Sequence, residues 1–481
     1  MLTIDRVIEL AARVAPDTVA ATLGDDALTF AELDAEGDRL AHGLAARGLG
    51  RGDRLAWWSD TTLESLSVFA AAAKLGVVFM PLNARTGVVE AAPVLASGRA
   101  RLLLTGASHA ADGDALGSAC AVEHFTASAI DRGAPAPWDG DRPLETDPHV
   151  IFFTSGSTGS PKGVVLSHRT NWLRSFPGAT SEAGVGDGVV CMFPLFHMAG
   201  FSIALGAWQQ RRPVHFAVAD PAALLEAAAR HRAARMYCIP AVWARILDHG
   251  IDGFDLTALR EADTGTSATP PELLAAIKTA LPHTATRVFY GSTEAGPACL
   301  LADADLARKP GRVGLAQPGC EIRLVDGEIR VRSDFLMDGY FDAPEATAAA
   351  LVDGWYCTGD LGEFDADGHL SIVGRARDVL RSGGETIAPG EVEAALADHP
   401  AIAEVAVVGF PDPVWGEIVT AVVVVREGIA PPSVDDLRAH CARRLAAFKH
   451  PRRVVMVDSL PRTPATGQVQ RALVVERLLA G

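Results

Sequence analysis

No apolar run in the 481-residue chain approaches the roughly eighteen residues that a membrane-spanning helix needs. Met1 to Leu10 holds Asp5 and Glu9 among its apolar residues and lacks a secretory-leader core, so the expectation is a cytoplasmic protein. Basic charge is short. Lysine and arginine number 43 against 59 acidic residues, a formal charge of −16, which argues against the phosphate-neutralising surface of a nucleic-acid binder. The seven cysteines (120, 191, 238, 299, 320, 357 and 441) are odd in number, and none forms a CxxC pair. Only Cys441 has a neighbouring histidine, His440, so a disulfide scaffold or structural zinc site is not expected and buried thiols are. Low hydrophobicity is also missing: 49% of residues are apolar and 21% charged, a balance that excludes disorder. The length exceeds what one hydrophobic core serves, which predicts at least two domains.

Lysine is the scarcest charge. Only Lys74, Lys162, Lys278, Lys309 and Lys449 stand against 38 arginines. A chain that writes its positive charge as arginine either avoids lysine by coding bias or keeps it where arginine cannot serve.

Up to about residue 375, short apolar runs alternate with amphipathic helical patterns. Residues 54–58, 77–82, 101–105 and 149–154 read as strands, and 61–75, 224–231, 241–248 and 271–281 as helices. That alternation predicts parallel sheets covered on both faces. From about Gly319 short strands and tight turns take over (321–325, 328–333, 370–373), a hairpin-rich β unit. The tail reads as a compact α+β domain, with helices at 389–397, 434–445 and 470–479 and strands at 402–408, 418–425 and 453–457. The expected fold class is α/β. It has a large N-terminal domain (1–376) of two doubly wound subdomains plus a small β-barrel-like one, and a small mobile α+β C-terminal domain (377–481).

Thr154-Ser-Gly-Ser-Thr-Gly-Ser-Pro-Lys162-Gly163 lies between two strand patterns. Three glycines expose backbone N–H groups, five hydroxyls add donors, and Lys162 adds a fixed charge, a combination suited to a polyphosphate. It is not a Walker A loop, because Pro161 precedes the lysine and a strand follows. Its ordinary alternative is a flexible Gly/Ser hairpin, but such a loop has no reason to set a rare lysine after a rigid proline. Tyr290-Gly-Ser-Thr-Glu-Ala-Gly296 follows the apolar run 286–289. Thr293 and Glu294 suit phosphate plus Mg²⁺, though a plain strand-to-loop turn would look similar. Trp355-Tyr-Cys-Thr-Gly-Asp360 is read as a strand ending in a turn, with Asp360 either a turn former or a partner for vicinal hydroxyls.

In this order and spacing the segments resemble one family. TSGSTGSPKG, PLFHMAG (194–200), YGSTEAG, GWYCTGD and GRARDVLRSGGETIAPGEVE (374–393) make the chain similar, over essentially its whole length, to the adenylate-forming superfamily of acyl-CoA synthetases, luciferases and peptide-synthetase adenylation domains. Bacterial fatty-acyl and aryl-CoA ligases are the nearest in pattern. The resemblance implies a two-step reaction: a carboxylate attacks the α-phosphorus of ATP to give acyl-adenylate and pyrophosphate, and the thiol of coenzyme A then attacks the activated carbonyl. Its substrates would be a small-molecule carboxylic acid, ATP and coenzyme A, with Mg²⁺. By position, Thr154, Ser155, Gly156, Ser157, Thr158, Gly159 and Lys162 would hold phosphates. Thr293 would contact the α-phosphate and Glu294 the Mg²⁺. Asp360 and Arg375 would grip the ribose, Tyr290 would stack on adenine beside Gly291, and Thr266 and Ser267 would line the adenine cavity where relatives more often carry Gly-Gly-Ala. His197 would lie beside the carboxylate, its ordinary alternative being a packed core histidine. Arg377 would be the hinge, and Gly383, Gly384, Glu385 and Lys449 would serve the coenzyme A channel.

One residue departs from the pattern. The family's last motif ends in Thr-Gly-Lys, whereas here Pro464-Ala-Thr-Gly-Gln468 places a neutral amide where the lysine bridges carboxylate and α-phosphate. The resemblance then implies an impaired adenylation step with thiol transfer less affected. Three accounts compete: an engineered substitution; replacement of the charge by Lys449, Arg462 or Arg471; or drift toward a nucleotide- or adenylate-binding role. A stand-alone adenylation enzyme serving a carrier protein is the alternative acceptor chemistry. The acyl pocket is expected from His197, Phe201, Trp208, Trp243, Gly265, Gly291 and Gly296, mostly small or apolar, and no arginine in 197–208 would pair a second carboxylate. A hydrophobic monocarboxylate, fatty or aromatic, fits. Trp172, Trp208 and Trp243 also read as ordinary core residues.

Overall fold

The computed structural model of the chain describes residues 1–133, 135–154, 161–176, 188–375, 378, 380–382, 385–442, 444–463 and 467–480, with backbone only at 381, 385 and 386. Contacts gather it into two compact units, Met1–Glu321 with Val331–Tyr356, and Ile322–Arg330 with Cys357–Gly481. The expected hinge at 376/377 lies outside the described residues.

In the larger unit the elements that carry the motifs are, in chain order, β1 (Pro148–Thr154), β2 (Lys162–Ser167), α1 (His168–Ser175), β3 (Val189–Cys191), α2 (Met198–Gln209), β4 (Arg235–Tyr237), β5 (Glu261–Gly265), β6 (Ala285–Ser292), β7 (Gly296–Leu301) and β8 (Gly339–Tyr340). One sheet runs β8, β2, β1, Val78–Pro81, Arg54–Trp57, Leu102–Thr105, Glu123–Thr126. Its last five strands are parallel, as the alternation of strand and helix predicts, and β8 and β2 are antiparallel. The second sheet runs Leu315–Ala316, β7, β6, β5, β4, β3, Val214–Phe216, Val19–Leu23, Asp26–Thr29, parallel from β6 to Val19–Leu23.

The register of β4, β5 and β6 decides what the second sheet presents. Arg235 pairs with Glu261; Tyr237 pairs with Asp263, which pairs with Arg287; and Gly265 pairs with Phe289. Side chains alternate along a strand, so all of these share one face. Met236, Cys238 and Ala262 take the other, packed with Leu224, Trp243 and Ile246. Sequence periodicity shows the apolar face; only the register shows that the opposite face holds two acids and two arginines.

The hairpin-rich segment forms a five-stranded sheet from Cys320–Val325, Glu328–Ser333, β9 (Trp355–Phe364), Leu351–Val352 and β10 (Leu370–Arg375). Here the sequence reading needs correction, because Asp360 lies within β9 and not at its end. A register shift between Leu361 and Gly362 keeps the chain in the sheet, and the turn comes at Asp365–Gly368.

The tail is α+β as expected. Strands Glu385–Ile387, Leu380–Ser382, Gly416–Val425 and Ile402–Asp412 form a sheet, with Arg453–Met456 parallel to Gly416–Val425. Its central hairpin is apolar on both faces. Val407, Val419 and Val423 pack with Val392, Leu396 and Leu437, while Ala406, Val408 and Val422 meet Val474 of the closing helix. Among the described residues no helix is long and apolar enough to cross a membrane, and all seven cysteines are free thiols.

Two buried histidines set an acid limit on stability. His149 and His168 lie with ring centroids 4.4 Å apart, and the His168 Nδ1 accepts the Ile4 N–H at 3.2 Å. Burial pushes His168 down to about 3, and burial with His168 close by holds His149 well below the ordinary imidazole range. Between pH 6.5 and about 3 the unfolded chain therefore binds protons that the folded chain does not. Each ring is expected to remove about 1.4 kcal/mol of stability per pH unit below 6.5. Denaturant titrations at pH 7 and 5.5 check this; His168→Asn, which keeps an acceptor for Ile4, should flatten the dependence.

Candidate active site

Lys162 opens β2 directly opposite Thr154 at the end of β1, so the hairpin register fixes where its charge emerges. Residues Ser155, Gly156, Ser157, Thr158 and Gly159 lie outside the described residues. The Lys162 Nζ stands 5.0 Å from the centroid of the Tyr340 ring. Tyr340 reaches this position because β8 pairs with β2, Tyr340 opposite Val164. Its hydroxyl donates to Glu294 Oε1 at 3.2 Å. Burial, reinforced by Glu294, pushes the phenol well above its ordinary range, so it remains a donor. The cation and carboxylate expected to serve phosphate and metal thus meet one tyrosine, Lys162 at its ring face and Glu294 at its hydroxyl.

The segment carrying Thr293 and Glu294 is pinned from below. The Arg174 guanidinium donates to Thr293 O at 2.9 Å and to Phe335 O at 2.6 Å, and the Met337 N–H donates to Glu294 O at 2.8 Å. Burial draws Arg174 down to about 10 against the pull of Asp338 and Glu294, so it is still a cation at neutral pH. Strand β6 runs on through Tyr290 and Gly291 to Ser292, then turns tightly into β7, with a register shift after Tyr290. Gly296 sits in the turn at φ +72°, where a Cβ would come 3.1 Å from the Phe335 ring.

A second group stands at the C-terminal ends of β3, β4, β5 and β6, the edge at which open α/β sheets bind ligands. The His197 Nδ1 accepts the Ala199 N–H at 3.1 Å and caps α2, which leaves the proton on Nε2. Burial, with Arg85 nearby, lowers this imidazole to about 4. His197 stacks on Phe193 (5.4 Å), Phe193 meets Tyr237 edge-on (5.3 Å), and Tyr237 stacks on Phe289 (5.7 Å). Gly265 makes room for this wall: a Cβ there would stand 2.6 Å from the Tyr237 hydroxyl and 2.3 Å from Phe289 O. Gly265→Ala is therefore expected to lower acid-dependent turnover by about 10-fold or more, read as kcat/KM, with the fold retained by circular dichroism. Thr266 follows at φ +67°, a conformation that a β-branched residue adopts only under strain.

The other expected acyl-pocket residues lie deeper. Phe201 packs on Phe69 (4.5 Å), the fully buried Trp208 donates its indole N–H to Ala20 O (2.9 Å), and Trp243 donates to Asp263 O (2.8 Å).

In the smaller unit, Asp360 and Arg375 are cross-strand partners, Nε to Oδ1 2.8 Å, with Asp360 buried and Arg375 exposed. The backbone of Gly359 turns at φ +70° and donates to Glu328 (3.1 Å), which fixes the approach to Asp360. Lys449 is paired with Glu391. The exposed Gln468 is tied to Thr463 by its backbone, with N–H to Oγ1 3.1 Å and O from N–H 2.8 Å. Arg462 binds Gly467 O (2.7 Å) and Glu404 (2.6 Å), and Arg471 binds Glu393 (2.6 Å) and Asp378 (3.3 Å). Each cation considered as a stand-in for the missing lysine already faces a carboxylate. Gly383, Gly384 and Arg377 are outside the described residues, as is the Glu385 side chain.

Sequence reasoning passed over Tyr340, Arg174 and Tyr237. A signal was present. The chain has only four tyrosines, 237, 290, 340 and 356, and the scarcity argument applied to lysine would have singled them out.

The fold and this pair of clusters define an adenylate-forming enzyme. Residues 8–341 match the AMP-binding enzyme family and 391–466 the AMP-binding enzyme C-terminal domain, and the chain belongs to that family. It is 35% identical over 483 residues to a feruloyl-CoA synthase of Amycolatopsis sp, covering 97% of each chain. It is 30% identical to a long-chain-fatty-acid–CoA ligase of Mycobacterium tuberculosis, covering 95% of this chain and 94% of the other. The structure of o-succinylbenzoate CoA synthetase from Bacillus subtilis with its acyl-adenylate superposes with a TM-score of 0.88 at 27% identity, over 98% of this chain and 97% of that one. The same synthetase has also been solved with ATP and magnesium. ATP, Mg²⁺ and coenzyme A are the cofactors of these ligases, and small carboxylic acids their partners.

The residues present fit such a group. Glu294 offers a carboxylate at the hydroxyl of the tyrosine whose ring Lys162 faces, and among the described residues no three His, Cys, Asp or Glu side chains converge. A site with one protein carboxylate suits Mg²⁺, which keeps most of its ligands as water and phosphate oxygen.

Proposed function

We propose that this chain joins a hydrophobic monocarboxylic acid to AMP, releasing pyrophosphate, and then passes the acyl group to coenzyme A. The observation that carries this reading is the Lys162–Tyr340–Glu294 arrangement, with a cation over one tyrosine ring and a carboxylate bonded to that ring's hydroxyl. In-line displacement at phosphorus needs positioning and charge neutralisation more than covalent help. Lys162 would bind phosphate oxygens, Thr293 would donate to the α-phosphate, and Glu294, oriented by the Tyr340 hydroxyl, would hold the metal. Mg²⁺ supplies charge stabilisation to the phosphates when bound. Asp360 would accept from the ribose hydroxyls with Arg375 fixing its carboxylate, and Tyr290 would cover the adenine. His197, which burial lowers to about 4 and so keeps neutral at pH 7, would donate Nε2–H to the substrate carboxylate without adding a charge. The pocket would be walled by His197, Gly265, Gly291 and Gly296, with Phe201, Trp208 and Trp243 as packing behind.

Gln468 supports a finer reading, that the first half-reaction is slow. A neutral amide cannot offset the charge developing between carboxylate and α-phosphate, and loss of such a contact costs about 10²–10³ in rate. The same feature favours a second reading, a protein that handles ready-made adenylates. Separate assays of the halves decide between them: ATP–pyrophosphate exchange with an acid panel, and thioester formation from supplied acyl-adenylate. Slow exchange with normal thioester formation supports the ligase with an impaired first step. No exchange even at high enzyme, with adenylate still consumed, supports the second. Inactivity in both would refute the first.

A further inference from the structure

Among the described residues no donor or acceptor pairs with the Tyr237 hydroxyl, although the side chain is only 8% exposed. The hydroxyl is therefore available to a ligand that enters beside it. The ring is not free to turn away. It is stacked on Phe289, met edge-on by Phe193, and placed over Gly265, the one residue type that admits it. Behind the ring on the same sheet face, Asp263 is occupied by Arg235 and Arg287 at 2.6 and 2.7 Å, so the acid next to Tyr237 is spoken for. Burial, with Asp263 adding to it, pushes the phenol above its ordinary range, and the group stays protonated.

The surroundings narrow what could meet it. The wall is His197, Phe193, Tyr237 and Phe289, three aromatic rings and an imidazole in consecutive contact at the strand ends. Flat aromatic surface packs well on such rings. We infer that Tyr237 selects the acyl group: its hydroxyl hydrogen-bonds an oxygen substituent on the ring of an aromatic monocarboxylic acid whose carboxylate end lies toward His197. This deepens the ligase reading and rests on it. An unsubstituted ring or an alkyl chain would leave the hydroxyl unpaired, and that difference is the source of discrimination.

The test uses the full chain and avoids turnover, since Gln468 could mask it. Non-hydrolysable acyl-sulfamoyl adenosines carrying cinnamoyl, 4-hydroxycinnamoyl and octanoyl groups are titrated calorimetrically into the protein and into Tyr237→Phe. The hydroxylated analogue is expected to bind about three- to tenfold tighter than the cinnamoyl one, the range of one neutral hydrogen bond. Tyr237→Phe should abolish that ratio and leave cinnamoyl and octanoyl binding nearly unchanged. A ratio that survives in Tyr237→Phe, or is absent from the parent protein while all three analogues bind, overturns the assignment of Tyr237 alone. Failure of every analogue to bind overturns the ligase reading, and the assignment with it.

Discussion

Replacing Gln468 by lysine is expected to raise acid-dependent ATP–pyrophosphate exchange by about 10²–10³-fold, with thioester formation from supplied adenylate changed little. The size follows from what the new group adds. A charge-assisted hydrogen bond is about twice as strong as a neutral one, and it would act only while negative charge grows between the carboxylate and the α-phosphate. The structure argues against a hidden substitute, since Lys449, Arg462 and Arg471 are paired with Glu391, Glu404 and Glu393. Releasing one of these cations would take the facing charge from its carboxylate, and at Arg471 from two, Glu393 and Asp378. Exchange that does not change in Gln468→Lys would show that adenylation here does not depend on charge at that position.

The second large effect is on folding. Arg287→Met should cost about 3–5 kcal/mol of stability, because it strips the shared partner from two fully buried acids. Arg287 bonds Asp263 at 2.7 Å and Glu261 at 2.7 Å, while Arg235 lies 2.6 Å from Asp263 and 3.6 Å from Glu261. Burial opposes ionisation of Asp263, yet Arg235 and Arg287 outweigh it and hold the carboxyl below its usual range. With Arg287 gone, one arginine must serve both acids. Urea unfolding of the variant measures the loss, and the double variant Arg287→Met/Glu261→Gln should recover part of it by removing the uncompensated charge. A variant within about 0.5 kcal/mol of the parent would mean that the four groups contribute nothing net.

These two predictions draw on different kinds of information. Gln468 was legible in the sequence, because a motif of fixed order exposes a departure at one position. So were Lys162, Glu294, Asp360 and Arg375, and the alternation of strand and helix that predicts parallel sheets. The Asp263–Arg287 network was not. It depends on the register between β5 and β6, and a slip of one residue would put these side chains on opposite faces. Tyr340 escaped for a related reason: it meets Glu294 and Lys162 only because a two-residue strand pairs with β2, which sets Tyr340 opposite Val164, far away in sequence. Asp360 was misplaced at a strand end because glycine and aspartate signal turns locally, whereas Gly359 here bends a strand that continues to Phe364. The tryptophans show the converse: Trp208 and Trp243 are large, buried and bonded to backbone carbonyls, the packing role their composition allows.

The claim that carries the most weight is that Lys162 and Glu294 bind a magnesium–nucleotide. Calorimetric titration of Mg·ATP into the full chain and into Lys162→Ala tests it without requiring any turnover. The account predicts saturable binding by the parent protein, dependent on magnesium, and affinity at least about 10-fold weaker in Lys162→Ala. No binding by the parent protein, or equal affinity in the two, would contradict it.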